Sequence, residues 1–263
     1  MISSLHVLRT RLAEVQLAIM LLTRLPAGHI APPAPVISSA AWAFPLAGLI
    51  VGSIVASVLA GTSWIGLPPE ISAGIALAAG IAVTGGLHED GLADTADGFG
   101  GGRDRDHKLA IMRDSRIGSF GTLALILTLG LRWSALTMLT GHDAESAACT
   151  IVAIAVASRA GFPAILAWLP PARSDGLGHA ASSAAPAQAG ARAAIAAAIG
   201  LSALGLLLSP AVALAIAIGL VAVHVLLAWL ALKQIGGQTG DILGAMQQAA
   251  DVCALIVVVW FSR

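Results

Sequence analysis

The stretch Ala211-Val212-Ala213-Leu214-Ala215-Ile216-Ala217-Ile218-Gly219-Leu220-Val221-Ala222-Val223-His224-Val225-Leu226-Leu227-Ala228-Trp229-Leu230-Ala231 contains one strongly polar side chain, His224. As a helix rising 1.5 Å per residue it is roughly 30 Å long, the thickness of a bilayer's hydrocarbon core. Lipid offers the backbone no hydrogen-bond partner, so such a run predicts a spanning α-helix. Six further runs read the same way: approximately Ala40 to Ala60, Glu70 to Gly86, Gly118 to Thr140, Ala147 to Leu169, Ala193 to Leu208, and Val252 to Phe261 with some residues before it. The last has the shortest apolar core. The expected fold class is all-α, a single polytopic membrane bundle over residues 1–263 with about seven transmembrane helices. Leu12 to Leu25 is apolar too, but Glu14 and Gln16 interrupt it, which predicts an N-terminal interfacial helix. With no small-residue cleavage site before Pro26, the opening segment is expected to be mature protein.

Composition agrees. Hydrophobic residues make up 57% of the 263 and charged residues 11%, against roughly 25% charge in an average soluble domain. Fourteen Lys and Arg balance fourteen Asp and Glu, which excludes a basic nucleic-acid surface and leaves membrane lipid as the bulk partner. Lys and Arg concentrate in alternate loops: Arg9, Arg11 and Arg24, then Arg103 to Arg116, then Arg173 and Arg192, then Lys233. The turns at 61–69, 141–146 and 209–210 have none. The positive-inside rule then places every long polar loop, and any active site in it, on the cytoplasmic side. With Arg far outnumbering Lys and Ala and Gly abundant, a bacterial cytoplasmic (inner) membrane is expected. Most of the six Trp fall near span ends, as headgroup anchors do. Cys149 and Cys253 have no metal or disulfide spacing and are expected as buried small hydrophobes. Ser182 to Arg192 reads as a flexible connector.

The charge is not spread evenly. Seven of the fourteen acids lie between Glu89 and Asp114. Asp90, Asp94 and Asp97 stand at i, i+4 and i+7, one face of a helix, where like charges repel unless a cation is bound. Hard oxygen ligands at this density suit Mg²⁺, or Mn²⁺, and metal-held phosphate. Phe99-Gly100-Gly101-Gly102 follows, then Arg103, Lys108, Arg113 and Arg116 with Ser115. Glycines allow close approach to a phosphate and cations neutralise it, so the order acids, glycines, cations describes a metal-diphosphate site. Arg173, in Pro170 to Gly178, could add a cation, and Asp241, in Gly236 to Gln248, could complete the metal site or cap a helix. Arg159 lies inside a span, where either snorkelling or a buried anion accounts for a charge; Arg132 and His224 raise the same question.

These residues resemble the cobalamin synthase family, the adenosylcobinamide-GDP ribazoletransferases. The resemblance runs through Leu22 to Pro26, Phe44 to Gly48, Gly85 to Gly98, Ile111-Met112-Arg113-Asp114-Ser115-Arg116-Ile117-Gly118, Arg173 to Gly178 and Gly237 to Gly244. The acidic block joined to Met-Arg-Asp-Ser-Arg is its most specific part. Where the family pattern has a Glu after the Gln247-Gln248 pair, this chain has Asp251. The resemblance implies that adenosylcobinamide-GDP reacts with α-ribazole or its 5′-phosphate, releasing GMP. It implies Mg²⁺ ligands or their supports among Glu89, Asp90, Asp94, Asp97 and Asp241, and a general base at Asp97 or Asp114. Substrate contacts would come from His88, Lys108, Arg113, Ser115, Arg116 and Arg173. Oligomeric state is left open, a homo-oligomer included. A lipid-forming phosphotransferase is the alternative, but its Asp-Gly-x-x-Ala-Arg element is replaced here by Asp90-Gly91 followed by Ala93-Asp94. A cation or nucleotide transporter is a weaker one, because the acids lie in a loop and not at mid-membrane.

Overall fold

A computed structural model describes residues 2–176, 180 and 186–263. The chain forms α1 (Ile2–Leu22), α2 (Ile37–Ala40), α3 (Phe44–Trp64), α4 (Pro69–Thr84), α5 (Leu87–Gly101), α6 (Arg105–Ile111), α7 (Ser119–His142), α8 (Ala144–Ala160), α9 (Phe162–Trp168), α10 (Pro186–Leu207), α11 (Pro210–Ile235) and α12 (Gly240–Phe261). Among the described residues there is no β-strand. Six helical stretches among the described residues are long and apolar enough to cross a membrane. A seventh emerges if α4 and α5 count as one bent pair, so the protein is a multi-pass helical bundle, as its hydropathy predicts.

Proline in the first turn opens α3, α4, α9 and α11, where its missing N–H is no loss and its φ suits the helix. Lipid provides no hydrophobic drive between spans, so close packing depends on small residues. The α3–α8 pair is built this way: a Cβ on Gly48 would stand 2.1 Å from the Ala155 carbonyl oxygen. The limb formed by α8 and α9 is the most enclosed, whereas α7, α10 and α11 turn most of their surface outward.

The break between α4 and α5 positions everything that follows. Gly85 and Gly86 both take left-handed backbone, at φ 68° and 72°, a conformation that glycine adopts without a Cβ penalty. The chain turns by 87° there. So α5 leaves the axis of α4 nearly at a right angle. It packs on α12 and α7. The α5–α12 contact is backbone against backbone: a Cβ on Gly91 would lie 2.8 Å from the Asp241 carbonyl oxygen and 3.0 Å from its Cα, and one on Gly244 would lie 3.1 Å from the His88 carbonyl oxygen.

Several expectations need correction. The final span begins at Gly240, well before Val252, because Gln247, Gln248 and Asp251 are buried inside the bundle despite lowering its hydropathy. The expected connector is helical from Pro186. Its residues 182–185 lie outside the described residues, as do Leu177 and Gly178 of the polar island after Pro170. The N-terminal helix extends back to Ile2. Trp42 is no headgroup anchor: its indole N–H donates to the buried Glu14 at 2.7 Å and ties α3's approach to α1. Cys149 is exposed and Cys253 only half-buried, so neither is a core residue.

Replacing Gly91 by Ala is expected to lower stability by about 1–3 kcal/mol through overpacking, read as a lower melting temperature in detergent. Gly130→Ala, in α7 with nothing within 4 Å of the added Cβ, should leave the melting temperature unchanged.

Candidate active site

Helix α5 does place Asp90, Asp94 and Asp97 on successive turns, and the glycine contact brings Asp241 of α12 against them. Asp94 lies in the combined field of Asp90, Asp241 and Asp97. Burial first, then these three carboxylates, pushes its pKa up to about 7, against the pull of Arg173. Arg173 is the cation of the group, 3.5 Å from Asp241, and it also donates to the Leu109 carbonyl.

Arg173 is held there by the backbone. A β-bridge joins Pro171 to Gln238; the Gln238 N–H donates to Pro170 O at 2.8 Å and the Ala172 N–H to Gln238 O at 2.9 Å. Arg105 clamps the same junction, donating to Ile235 O at 2.9 Å and Ala172 O at 2.7 Å. Thr239 accepts from the Ile242 N–H and so caps α12, while its hydroxyl donates to the Asp241 carboxylate at 3.2 Å and turns it towards Arg173. The alternative of Asp241 as N-cap is thereby corrected.

The other sequence-predicted residues are placed elsewhere. Both oxygens of Asp97 accept backbone N–H groups at the start of α7, from Gly118 at 2.7 Å and Gly121 at 2.9 Å. A carboxylate at a helix N-terminus satisfies orphan donors and opposes the dipole, so Asp97 fixes α7 to α5. Glu89 points into the bundle, about a quarter-turn from Asp90, accepting from Gln248 at 2.9 Å and Arg132 at 3.2 Å. Asp114 sits on an exposed loop in a fork with Arg116, whose hydrogen bonds hold its carboxyl down to about 2; such a group is a weak base. Arg113 pairs with Asp175 at 2.5 Å, Lys108 donates to Gln234, and Ser115 is exposed. Of the expected phosphate cations, only Arg173 meets the carboxylates. The glycines after Phe99 are packing residues: Gly100 lies under Phe120, and Gly102 under Lys108. His88 is buried rather than solvated, packed edge-on to Phe162.

A second polar group went unassembled in the sequence. Arg132 of α7 reaches Glu89, Asp251 at 3.3 Å and Gln248 at 2.8 Å. Arg159, 1% exposed, lines the same cavity of about 60 Å³. Charges inside predicted spans were the available signal. They answer the question raised by Arg132 and Arg159: both point inward to anions and polar groups, not outward to headgroups.

The acidic site suits Mg²⁺ by its chemistry. Its donors are carboxylate oxygens, and the repulsion that raises Asp94 marks a place where a cation lowers the energy. Among the described residues no three His, Cys, Asp or Glu side chains form a ready metal cage. Mg²⁺ does not need one, since it keeps waters and commonly takes one or two carboxylates together with substrate phosphate.

The sequence profile of the cobalamin-5-phosphate synthase family matches residues 14–259. The chain belongs to that family. It is 47% identical over 263 residues to a protein of Bradyrhizobium diazoefficiens named adenosylcobinamide-GDP ribazoletransferase, covering all of this chain and 99% of that one. Proteins of the same name from Mesorhizobium japonicum and Azorhizobium caulinodans are 45% and 41% identical, over 95% and 96% of this chain and 93% and 97% of theirs. No solved structure matches. The family assignment supports the transferase reading and neither the lipid-phosphotransferase nor the transporter alternative.

The raised Asp94 gives a signed prediction. A carboxyl whose folded pKa lies above its unfolded value favours the fold while protonated, and that stability is lost as pH rises through about 7. In metal-free buffer, Asp94→Asn should therefore melt higher than wild type at pH 8, with the gap closing as pH falls to 5. An equal gap at both pH values would place Asp94 outside the repelling group.

Proposed function

We propose that the Asp90, Asp94 and Asp241 site transfers the adenosylcobinamide phosphate group of adenosylcobinamide-GDP to α-ribazole or its 5′-phosphate. The observation that carries this is the convergence of three carboxylates and Arg173 on one bundle face, in a chain of the cobalamin-5-phosphate synthase family. This is the last assembly step of cobalamin biosynthesis. The ribose 3′-hydroxyl attacks the phosphorus bonded to the cobinamide arm, the diphosphate P–O bond breaks, and GMP departs with that oxygen. Asp94, on the same helix face one turn from Asp90, takes the hydroxyl proton as general base. Arg173 stabilises charge on the transferring and leaving phosphates. Asp90 and Asp241 would hold Mg²⁺, which supplies Lewis-acid neutralisation of the diphosphate when bound. Asp97 keeps α7 and α5 in register beneath the site.

The Lys and Arg distribution supports a site opening to the cytoplasm, with the protein in a bacterial inner membrane. The helix ends support the same face: α5, α6, the loop after α9 and the start of α12 share it through the Arg105 clamp and the Pro171–Gln238 bridge.

The test follows GMP released by purified protein from adenosylcobinamide-GDP, with α-ribazole and Mg²⁺ present, or with Mg²⁺ chelated. Release requiring both acceptor and metal is expected. Asp94→Asn should lose roughly 10²–10⁴-fold in turnover, the usual worth of a general base, whereas Asp114→Asn should keep wild-type turnover. Wild-type activity in Asp94→Asn would remove it from the chemistry.

A further inference from the structure

Away from the carboxylates, α1 and α10 line a common groove of about 440 Å³. Val7, Arg11 and Glu14 border it from one face of α1, and Ala191, Arg192 and Ile195 from one face of α10, with Trp42 joining them. Glu14 is the one acid among the lining residues. It is 3% exposed, and its Oε2 accepts from the Arg11 guanidinium and the Trp42 indole, each at 2.7 Å. Arg11 spends one nitrogen on it and keeps its side chain 55% exposed, so most of its five N–H donors are still available. Arg192 donates to Gln188, one turn back on its own helix, at 3.3 Å. Two guanidiniums against one carboxylate leave the groove with an unanswered positive charge. The candidate span in α10 begins at Gln188. At 1.5 Å per residue, Arg192 lies about 6 Å and Ile195 about 10 Å along it, and the headgroup layer on each side of a bilayer is roughly 5–7 Å thick. The cation therefore sits where headgroup gives way to hydrocarbon, and the apolar side chain sits below it. Val7 and Ile195 are both about half exposed, and Leu8 and Leu12 extend the apolar surface along the adjoining edge of α1.

We infer that this groove holds an anionic phospholipid of the bilayer, its phosphate between Arg11 and Arg192 and its chains against Val7, Ile195 and the outward face of α10. Guanidinium donors suit a phosphate diester, and basic pockets between spanning helices are where such headgroups lodge. The alternatives each match only half of the groove. Free phosphate would satisfy the cations but leave the apolar half bare. A zwitterionic headgroup would bring its own cation against Arg192. An acidic protein segment would meet the cations but could not follow α10 into hydrocarbon, where its backbone would lack hydrogen-bond partners. At 10–15 Å³ per water-sized position the groove takes about thirty to forty such groups, enough for a phosphoglycerol head, its ester linkages and the first chain carbons. A lipid so placed ties α1 to α10 through a gap the protein does not fill, and by mass action it stabilises the fold that forms the groove. None of this depends on the transferase reading.

The test titrates lipid into the delipidated full chain in a neutral detergent, reading lipid retained by native mass spectrometry and the rise in melting temperature. The probes are phosphatidylglycerol, phosphatidylcholine with the same chains, and inorganic phosphate. Wild type should retain phosphatidylglycerol in preference to phosphatidylcholine and melt higher with it, while inorganic phosphate changes nothing. Arg192→Gln should weaken phosphatidylglycerol about tenfold or more, the worth of a hydrogen bond to a charged group. Ala191→Trp fills the groove without changing its charge and should weaken it as well. Lys233→Gln, which removes a cation stacked on Trp229 outside the groove, should bind as wild type does. A melting temperature equal to wild type before lipid is added reports that each variant is folded; if Ala191→Trp fails that check, Arg192→Gln and the comparison of lipids decide. Equal retention of the two lipids, wild-type affinity in Arg192→Gln, or an equal loss in Lys233→Gln would each overturn the inference. Inorganic phosphate matching the phosphatidylglycerol rise would make the groove an ion site and overturn the lipid as its occupant.

Discussion

The site depends on one contact, the backbone approach of α5 to α12 at Gly91 and Gly244. Four carboxylates on two helices repel, and nothing in their own chemistry draws them together. Packing does so against that repulsion, with Arg173 as partial compensation. The Gly85–Gly86 turn makes the approach feasible by setting α5 nearly at a right angle to α4. Every later feature of the site inherits this geometry: Asp241 beside Asp94, and His88 against Phe162.

The same contact has an inner side. One residue from Asp90, Glu89 enters a buried network with Arg132, Gln248 and Asp251. Buried ion pairs add little net stability, but losing one partner strands the other at high cost. The network therefore works as a register lock: sliding α5 by one residue would take Glu89 away from Arg132 and Gln248, stranding its buried carboxylate, and would swing Asp90 away from Asp241. Adjacent acids on one helix thus divide their work, Asp90 standing beside Asp94 and Asp241 and Glu89 entering the bundle interior.

Hydropathy alone made the spans legible, because lipid imposes one rule on every residue of a span. The grouping of Asp90 and Asp94 was legible from their helical spacing, whereas Asp241 entered only as an acid that could join them from another loop. Long-range pairing was not legible. Nothing local to Asp97 says that the Gly118 and Gly121 amides will engage it, or that Arg113 will find Asp175. The start of α12 was obscured because Gln247, Gln248 and Asp251 look like loop residues until Glu89 and Arg132 are placed beside them. Glycines near phosphate-binding patterns misled for a related reason: at Gly100 and Gly102 the missing Cβ makes room for Phe120 and Lys108.

If the α5–α12 contact assembles one cation site, Asp90 and Asp241 must act as a unit. The direct measurement is the Mg²⁺-induced rise in melting temperature for wild type, Asp90→Asn, Asp241→Asn and the double variant. Each single variant should abolish most of the rise and the double variant should lose no more than either. Losses that add independently, or a rise that persists in both single variants, would contradict a shared site.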